Sequence, residues 1–242
     1  MMNFLFEIFN TLLYRPLFNA LILLYQYLPG RDFGIAVIIL TILIRLLLHP
    51  LMIQSLRSQK ALTKIQPKLK EIQNNHKHDQ QKQAEEMMAL YRQEKINPFA
   101  GLLTLFTQLP LIIALYQVFR KGFQPGEMAS LYSFVGNPGV INPNFLGLIN
   151  LAQPHVLLAI VGGIFQFFQM KMLSPKSKKA KKKKQQTDLF LDIMQKQMIY
   201  FFPFLTVIIL IKLPAAIALY WITTSIFSIA QQYTLKDHAD TK

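Results

Sequence analysis

Phe33 to Ile53 reads FGIAVIILTILIRLLLHPLMI, a run of 21 residues that is apolar except at Thr41, Arg45 and His49. As a helix rising about 1.5 Å per residue it would be about 31 Å long, the thickness of a bilayer hydrocarbon core. That length puts Arg45 inside the membrane. A guanidinium there costs about 2.5 to 3.5 kcal/mol on insertion scales, so it is expected to face water or a partner and not lipid tails.

The whole chain has 242 residues, 52% of them hydrophobic and 16% charged, with mean hydropathy +0.28 and a formal net charge of +14. Its apolar residues fall in uninterrupted blocks between very polar ones, whereas a soluble domain of this size would spread them by helical or strand period. The expectation is an all-α polytopic membrane protein. Phe99 to Phe119 and Leu213 to Tyr233 are uncharged blocks of 21 residues each, Gln153 to Met170 has 18 residues, and Met198 to Ile211 has 14 and contains Pro203. With Phe33 to Ile53 these make five transmembrane helices, the short one drawing on Asp192 to Gln197, or on a thinned bilayer, to reach the interface. Cysteine is absent, which excludes disulfides, thiolate metal sites and lipid attachment through cysteine. No basic region precedes the first apolar run and no small-residue site closes it, so no cleaved signal peptide is expected.

Charge sets the expected orientation. The segments 54–98 and 171–197 and the tail 234–242 hold nine, nine and two basic residues, against Arg15, Arg31, Arg120, Lys121 and Lys212 on the opposite side. Lys and Arg stay on the cytoplasmic side, which places the N-terminus outside and the C-terminus inside. Residues 1–30 read as an amphipathic helix in the outer interface, bent at Pro16. Asn3, Glu7, Asn10, Thr11, Arg15, Asn19 and Gln26 share about half of its circumference, opposite Leu5, Phe9, Leu12 and Leu24. An uncleaved signal anchor is the alternative for this stretch, and the charge rule admits both.

Residues 54–98 read as a soluble helical hairpin. Leu62, Ile65, Leu69 and Ile72 form a narrow seam, Met88, Tyr91 and Ala84 offer the returning face, Asn74 to Asp79 makes the turn, and Pro67 kinks the first helix or delays its start. The outer loop 120–152 is rich in Gly, Pro and Asn and reads as irregular turns with one short interfacial helix. In the third span Gly162 and Gly163 allow a neighbouring helix to approach closely. The inner loop 171–197 carries Lys176, Lys178, Lys179, Lys181, Lys182, Lys183 and Lys184, a run that stays solvated. It either contacts anionic lipid or ribosomal RNA, or only enforces topology.

Arg45 is the main candidate for function. It lies about 12 Å of helix from Ile53, longer than its side chain comfortably snorkels, and the apolar blocks of the five spans contain no Asp or Glu to pair with it. Neutral acceptors are at hand: Thr41 one turn outward, Gln108 in the second span, and Gln166 or Gln169 in the third. A structural arginine remains the plain alternative to a hydrophilic cavity for an anionic group. No carboxylate pair, nucleophile elbow or Gly-rich phosphate loop is present, so neither hydrolysis nor ATP use is implied, and the pattern is not that of an enzyme. His76 and His78 lack further ligands for a metal site. By composition alone Tyr220 and Trp221 are core or lipid-facing aromatics.

Taken in order, ILTILIRLLLHPL (Ile39 to Leu51), Met87-Met88-Ala89-Leu90-Tyr91-Arg92, Glu94-Lys95-Ile96-Asn97-Pro98, Gln108-Leu109-Pro110, Ala114-Leu115-Tyr116, Ala218-Leu219-Tyr220-Trp221 and Gln231-Gln232 resemble the YidC membrane protein insertases of the YidC/Oxa/Alb superfamily, from about Leu13 onward. The resemblance implies a bacterial-type plasma membrane protein with five spans, an outer interfacial helix and a cytoplasmic hairpin. Its groove would be open to cytoplasm and lipid but sealed outside, and would work without cofactor or nucleotide. It implies that Arg45 is the groove arginine, that Thr41 and Gln108 line the groove, and that Trp221, beside Tyr220, is the aromatic position along which substrate helices slide. Nascent membrane proteins and lipids are the implied partners, with ribosome, targeting receptor and secretion channel as further candidates and no DNA. The resemblance also makes the hairpin the first contact for substrate and targeting factors. Neither a large external domain nor a long basic ribosome-binding tail is expected, which leaves Lys176 to Lys184 as the candidate substitute. An anion channel lined by Arg45 and a purely structural scaffold are the rival readings.

Overall fold

The computed structural model describes residues 2–97, 99–121, 125–173 and 197–240. The N-terminal rod is α1 (Met2–Phe9), a π-helical turn (Asn10–Tyr14) and α2 (Arg15–Tyr27). Proline has no N–H and its ring crowds the carbonyl four residues back, and here the wider π turn ends at Tyr14, two residues before Pro16. Phe6–Tyr27 is long and apolar enough, at 22 residues, to cross a membrane by length and composition. Its neighbours say more about its setting. Tyr14 lies beside Lys121, Arg15 beside Tyr132, Asn19 beside Ser130 and Tyr132, and Tyr25 beside Phe33. These partners sit at the ends of neighbouring helices or in the segment 125–155, so from Tyr14 onward the rod crosses those ends and does not run down their length.

This arrangement corrects the reading of the polar stripe. Asn19 is buried, its amide donating to the Ser130 carbonyl at 3.2 Å while its oxygen accepts from the Tyr132 N–H at 2.7 Å. The Gln26 amide donates to the Gly136 carbonyl, and the Tyr25 hydroxyl accepts from the Asn142 N–H. The C-terminal half of the stripe therefore binds backbone of the segment 130–142, whose irregular course leaves donors and acceptors to satisfy. Meanwhile Phe4, Phe6, Ile8 and Leu12 are exposed.

Helix α3 (Phe33–Leu47) starts at Asp32, whose carboxylate accepts from the Ile35 N–H at 2.9 Å and from the Leu146 N–H. It ends earlier than its apolar run. At Leu48 the chain bends by 67° into α4 (His49–Asn75), so a single helix through Ile53 is not formed. Pro50 is the reason: it has no donor for the Leu46 carbonyl and is tolerated only in the first turn of a new helix. Helix α4 then runs through Pro67 to α5 (Gln80–Gln93), which Asp79 caps by accepting from the Lys82 N–H. Lys68 pairs with Glu94 at 2.6 Å, His76 with Glu86 at 3.0 Å, and the Gln83 amide donates to the Gln73 carbonyl.

These contacts turn Gln83, Glu86, Leu90 and Glu94 toward α4, residues three and four apart on one face. Among the expected seam residues Ile65 is buried, as is Leu90 on α5, and Leu62, Leu69, Ile72 and Tyr91 are half-buried. Met88 and Ala84 are exposed, contrary to expectation, because the polar contacts fix a face that excludes them. Partial burial pushes the Tyr91 phenol up from its ordinary range, so it stays neutral.

Helix α6 (Ala100–Lys121), α7 (Val156–Leu173), α8 (Phe202–Leu210, entered through a π-helical turn at Gln197–Phe201) and α9 (Ala215–Asp240) complete the bundle, with α9 packed between α3 and α7. Gly163 is required where α7 meets α8, since a Cβ there would lie 2.3 Å from the Val207 side chain. The segment 125–155 is more ordered than its composition suggests. It has a 3-10 turn (Pro125–Ser130) and a two-residue antiparallel ladder, β1 (Asn144–Phe145) with β2 (Ile149–Asn150), too short for any alternation to be legible. Its Leu151 and Gln153 carbonyls accept from the Ala216 and Ala215 N–H groups, capping donors that the first turn of α9 leaves unpaired. Val156, Leu157, Ile160, Ile164 and Phe168 on α7, with Phe204, Ile208 and Ile209 on α8, are exposed. Such a contiguous apolar surface is unfavourable in water and suits acyl chains.

Candidate functional site

Arg45 is carried on the last turn of α3, where the bend into α4 brings Met52 back over it. One guanidinium nitrogen, Nη1, faces Met52 Sδ at 3.8 Å, and the other, Nη2, donates to Gln108 Oε1 at 2.9 Å. Gln108 Nε2 in turn donates to the Tyr220 hydroxyl at 2.7 Å. The order follows from chemistry: arginine offers only donors, so the glutamine oxygen must face it, and its NH2 is left for the phenol. Arg45, Gln108 and Tyr220 thus form one chain of polar groups across α3, α6 and α9.

Among the described residues, no carboxylate lies within ion-pair distance of Arg45. Its partners are neutral, and hydrogen bonds to charged groups are worth about 1.5 to 3 kcal/mol net, less than a buried cation requires for full compensation. Arg45 is 5% exposed. Met52 and Gln108 cover the guanidinium, so among the described residues it is closed in by neutral side chains where an open, wet hollow was expected. A straight helix through Ile53 would have carried Met52 away from it.

Thr41 lies one turn toward the N-terminus of α3 and is buried with its hydroxyl donating to the Val37 carbonyl at 2.6 Å, so it is bonded to its own helix. Trp221 turns to α7 and donates to Gln166 Oε1 at 3.1 Å. The structure therefore brings Arg45, Gln108 and Tyr220 together and holds Thr41 and Trp221 apart from them. Leu62, Ile65, Leu69, Ile72, Met88 and Tyr91 are remote, on α4 and α5. Lys178, Lys179 and Lys181 to Lys184 lie outside the described residues.

Sequence reasoning missed a polar stripe on α9. Tyr220, Thr224, Ser228 and Gln231 fall within about 80° of one helical face, flanked by Ser225 and Gln232, and all six are buried. From Tyr220 to Gln232 the stripe rises about 18 Å, and Gln231 pairs with His49 at the start of α4. Thr224 Oγ1 and both side-chain polar atoms of Gln232 are buried and have no hydrogen-bond partner among the described residues. An unmet buried group costs about 1 to 3 kcal/mol. The signal was present in the sequence as small polar residues three and four apart within an uncharged span. Such a stripe, leading to an uncompensated cation, can take up the polar groups of another chain.

The fold and this site define a helical membrane protein with lipid-facing apolar helices around a buried cation. Residues 23–242 match the family described as 60Kd inner membrane protein, and the chain belongs to that family. The membrane protein insertase YidC of Fusobacterium nucleatum subsp. nucleatum is 31% identical over 202 residues, covering 84% of this chain and 85% of that protein. The YidC of Alkalihalophilus pseudofirmus is 33% identical over 237 residues, 93% of this chain and 81% of that protein. The YidC of Cellvibrio japonicus is 32% identical over 231 residues, 94% of this chain but 37% of that longer protein.

Proposed function

We propose that this chain is a membrane protein insertase that takes nascent membrane proteins into a polar groove and releases their helices into lipid without nucleotide hydrolysis. The observation that carries the reading is Arg45, a buried cation whose partners are a glutamine and, behind it, a tyrosine. A carboxylate entering from a substrate replaces Gln108 Oε1 as acceptor, exchanging a neutral partner for a charged one. Two unit charges at 4 Å attract by about 4 kcal/mol at an effective dielectric of about 20. The membrane potential adds about 2.3 kcal/mol per negative charge per 100 mV moved outward. The apolar part of the substrate then leaves across the lipid-facing side, driven by burial at about 25 cal/mol per Å².

In this reading α3, α6, α7, α8 and α9 are the five spans, with the N-terminus outside and the C-terminus in the cytoplasm. The rod α1–α2 lies along the outer interface across the ends of α3 and α6, and α4 with α5 is the cytoplasmic hairpin that first meets substrate. At 15 residues α3 is about 22 Å long, which shortens the dry path if the bilayer thins to match. The test is site-specific crosslinking. A photoreactive residue at Gln108 should capture a nascent substrate with an acidic external tail, and one at Ile164, on the outer face of α7, should not. Equal capture at both positions refutes the groove.

A further inference from the structure

Beside the N-terminal rod, at the end of α6 that the proposed topology places outside, lies an open hollow of about 550 Å³ lined by Phe6, Ile113, Tyr116, Gln117, Arg120 and Lys121. Its composition is split along α6. Phe6 and Ile113 supply apolar walls and both are exposed, while one to two turns toward the helix end stand Tyr116, Arg120 and Lys121. We infer that this hollow is a binding site for an anionic phospholipid of the outer leaflet, the phosphate held by Arg120 and Lys121 and an acyl chain lying along Ile113 and Phe6.

Three observations carry the inference beyond general lipid contact. First, the cations are clustered and each is set against a tyrosine: Arg120 over Tyr116, Lys121 over Tyr14, and Arg15 over Tyr132. Tyrosine is an interfacial residue, and its ring face attracts a cation. Second, among the described residues neither Arg120 nor Arg15 has a carboxylate within ion-pair distance, so their positive charge is available. The Arg120 guanidinium donates to the Tyr116 hydroxyl at 3.4 Å, which steadies it at the rim. Third, basic residues on the outer side oppose the orientation that the cytoplasmic ones impose. Three of the five outer basic residues named above are gathered at this corner, a concentration that an anionic headgroup explains by charge complementarity. A diacyl phospholipid meets both halves of the hollow, whereas a soluble phosphate would meet only the cationic rim.

This inference rests on the proposed topology, and its test separates the two. The chain has no cysteine, so Lys121→Cys can be labelled with a membrane-impermeant maleimide from either side. Labelling only from the cytoplasmic side overturns the topology and the lipid site together. For the site itself, Ile113→Trp in a Trp221→Phe background places one reporter on the acyl wall of full-length protein in bilayers. Brominated phosphatidylglycerol should quench it in preference to brominated phosphatidylcholine. In Arg120→Gln the preference should fall by about fivefold, while Arg120→Lys should keep it, which excludes misfolding as the cause. Equal quenching by the two lipids, or a preference that survives neutralisation, overturns the site while external labelling leaves the topology standing.

Discussion

Replacing Gln108 by glutamate changes one atom type at the centre of the site and separates stability from function. The new carboxylate lies where Gln108 Oε1 now accepts from Arg45 Nη2 at 2.9 Å. The Tyr220 hydroxyl, now an acceptor at 2.7 Å, rotates to become the donor, so no group loses its partner. The introduced carboxylate would then form the ion pair that Arg45 lacks, worth up to about 4 kcal/mol at 4 Å and an effective dielectric of about 20, less the desolvation of a half-buried carboxylate. The variant is therefore expected to melt no lower than the parent in detergent. A substrate carboxylate, in contrast, must displace a fixed rival, which amounts to as much as about a thousandfold loss of occupancy. Insertion of substrates with acidic external tails should fall steeply in cells depleted of the endogenous insertase and complemented with Gln108→Glu, and substrates with neutral tails should insert as before. Normal insertion of acidic-tailed substrates by this variant, at normal protein level, would refute the claim that substrates use the free charge of Arg45.

Four further outcomes follow from the same geometry. Arg45→Lys should retain part of the activity in the complementation assay, since the charge survives while the two-pronged contact with Gln108 and Met52 does not; activity no better than that of Arg45→Glu would show that geometry alone matters. Gly163→Ala should destabilise by about 1 to 3 kcal/mol, because the new Cβ meets Val207 at 2.3 Å, and an unchanged melting temperature would mean α7 and α8 do not pack as described. Asp32→Ala removes the acceptor for both the Ile35 and Leu146 N–H groups, which should cost about 1 to 2 kcal/mol and speed amide exchange in β1 and β2; protection equal to the parent's there contradicts the clamp. Deleting Leu62 to Met88 should reduce insertion while the remaining helices keep their melting temperature, and loss of the folded bundle would show that α4 and α5 support it.

Much of this architecture was legible because long apolar blocks admit few alternatives. Arg45 was conspicuous as a lone charge in such a block, and Gln108 as one of few polar residues able to answer it. Other features were hidden for physical reasons. The bend at Leu48 depends on which side of Pro50 the helix is continued from, and the apolar run gives no sign because it continues on both sides. The partner face of α5 was set by Gln83, Glu86 and Glu94 through polar contacts, whereas the apolar pattern pointed to Met88. The stripe on α9 is made of Thr, Ser and Gln, which keep the block uncharged and so leave its reading as a span undisturbed. Asn19 and Gln26 read as part of the polar face of an amphipathic helix because an amide satisfied by distant backbone and one satisfied by water have the same sequence.

The two ends of the bundle differ in how fully their polar groups are satisfied, and in the proposed orientation this difference gives the protein a direction. At the outer end seven hydrogen bonds tie the segment 130–153 to the helices: two at Asn19, one each at Tyr25, Gln26 and Asp32, and those from Ala215 and Ala216. At about 1 kcal/mol net apiece, separating that end forfeits several kcal/mol together with the burial of Leu151 and Val135. At the inner end the stripe on α9 is held to α4 by the His49–Gln231 contact, while Thr224 and Gln232 have polar atoms that gain partners once water or a polypeptide enters. Among the described residues, parting the stripe from α4 therefore gives up the His49–Gln231 contact while Thr224 and Gln232 gain partners, whereas parting the outer end gives up the seven bonds above. Under the proposed function, a groove built in this way would admit substrate from the cytoplasm while its outer seal stays shut, driven by the substrate's own partition into lipid and the membrane potential.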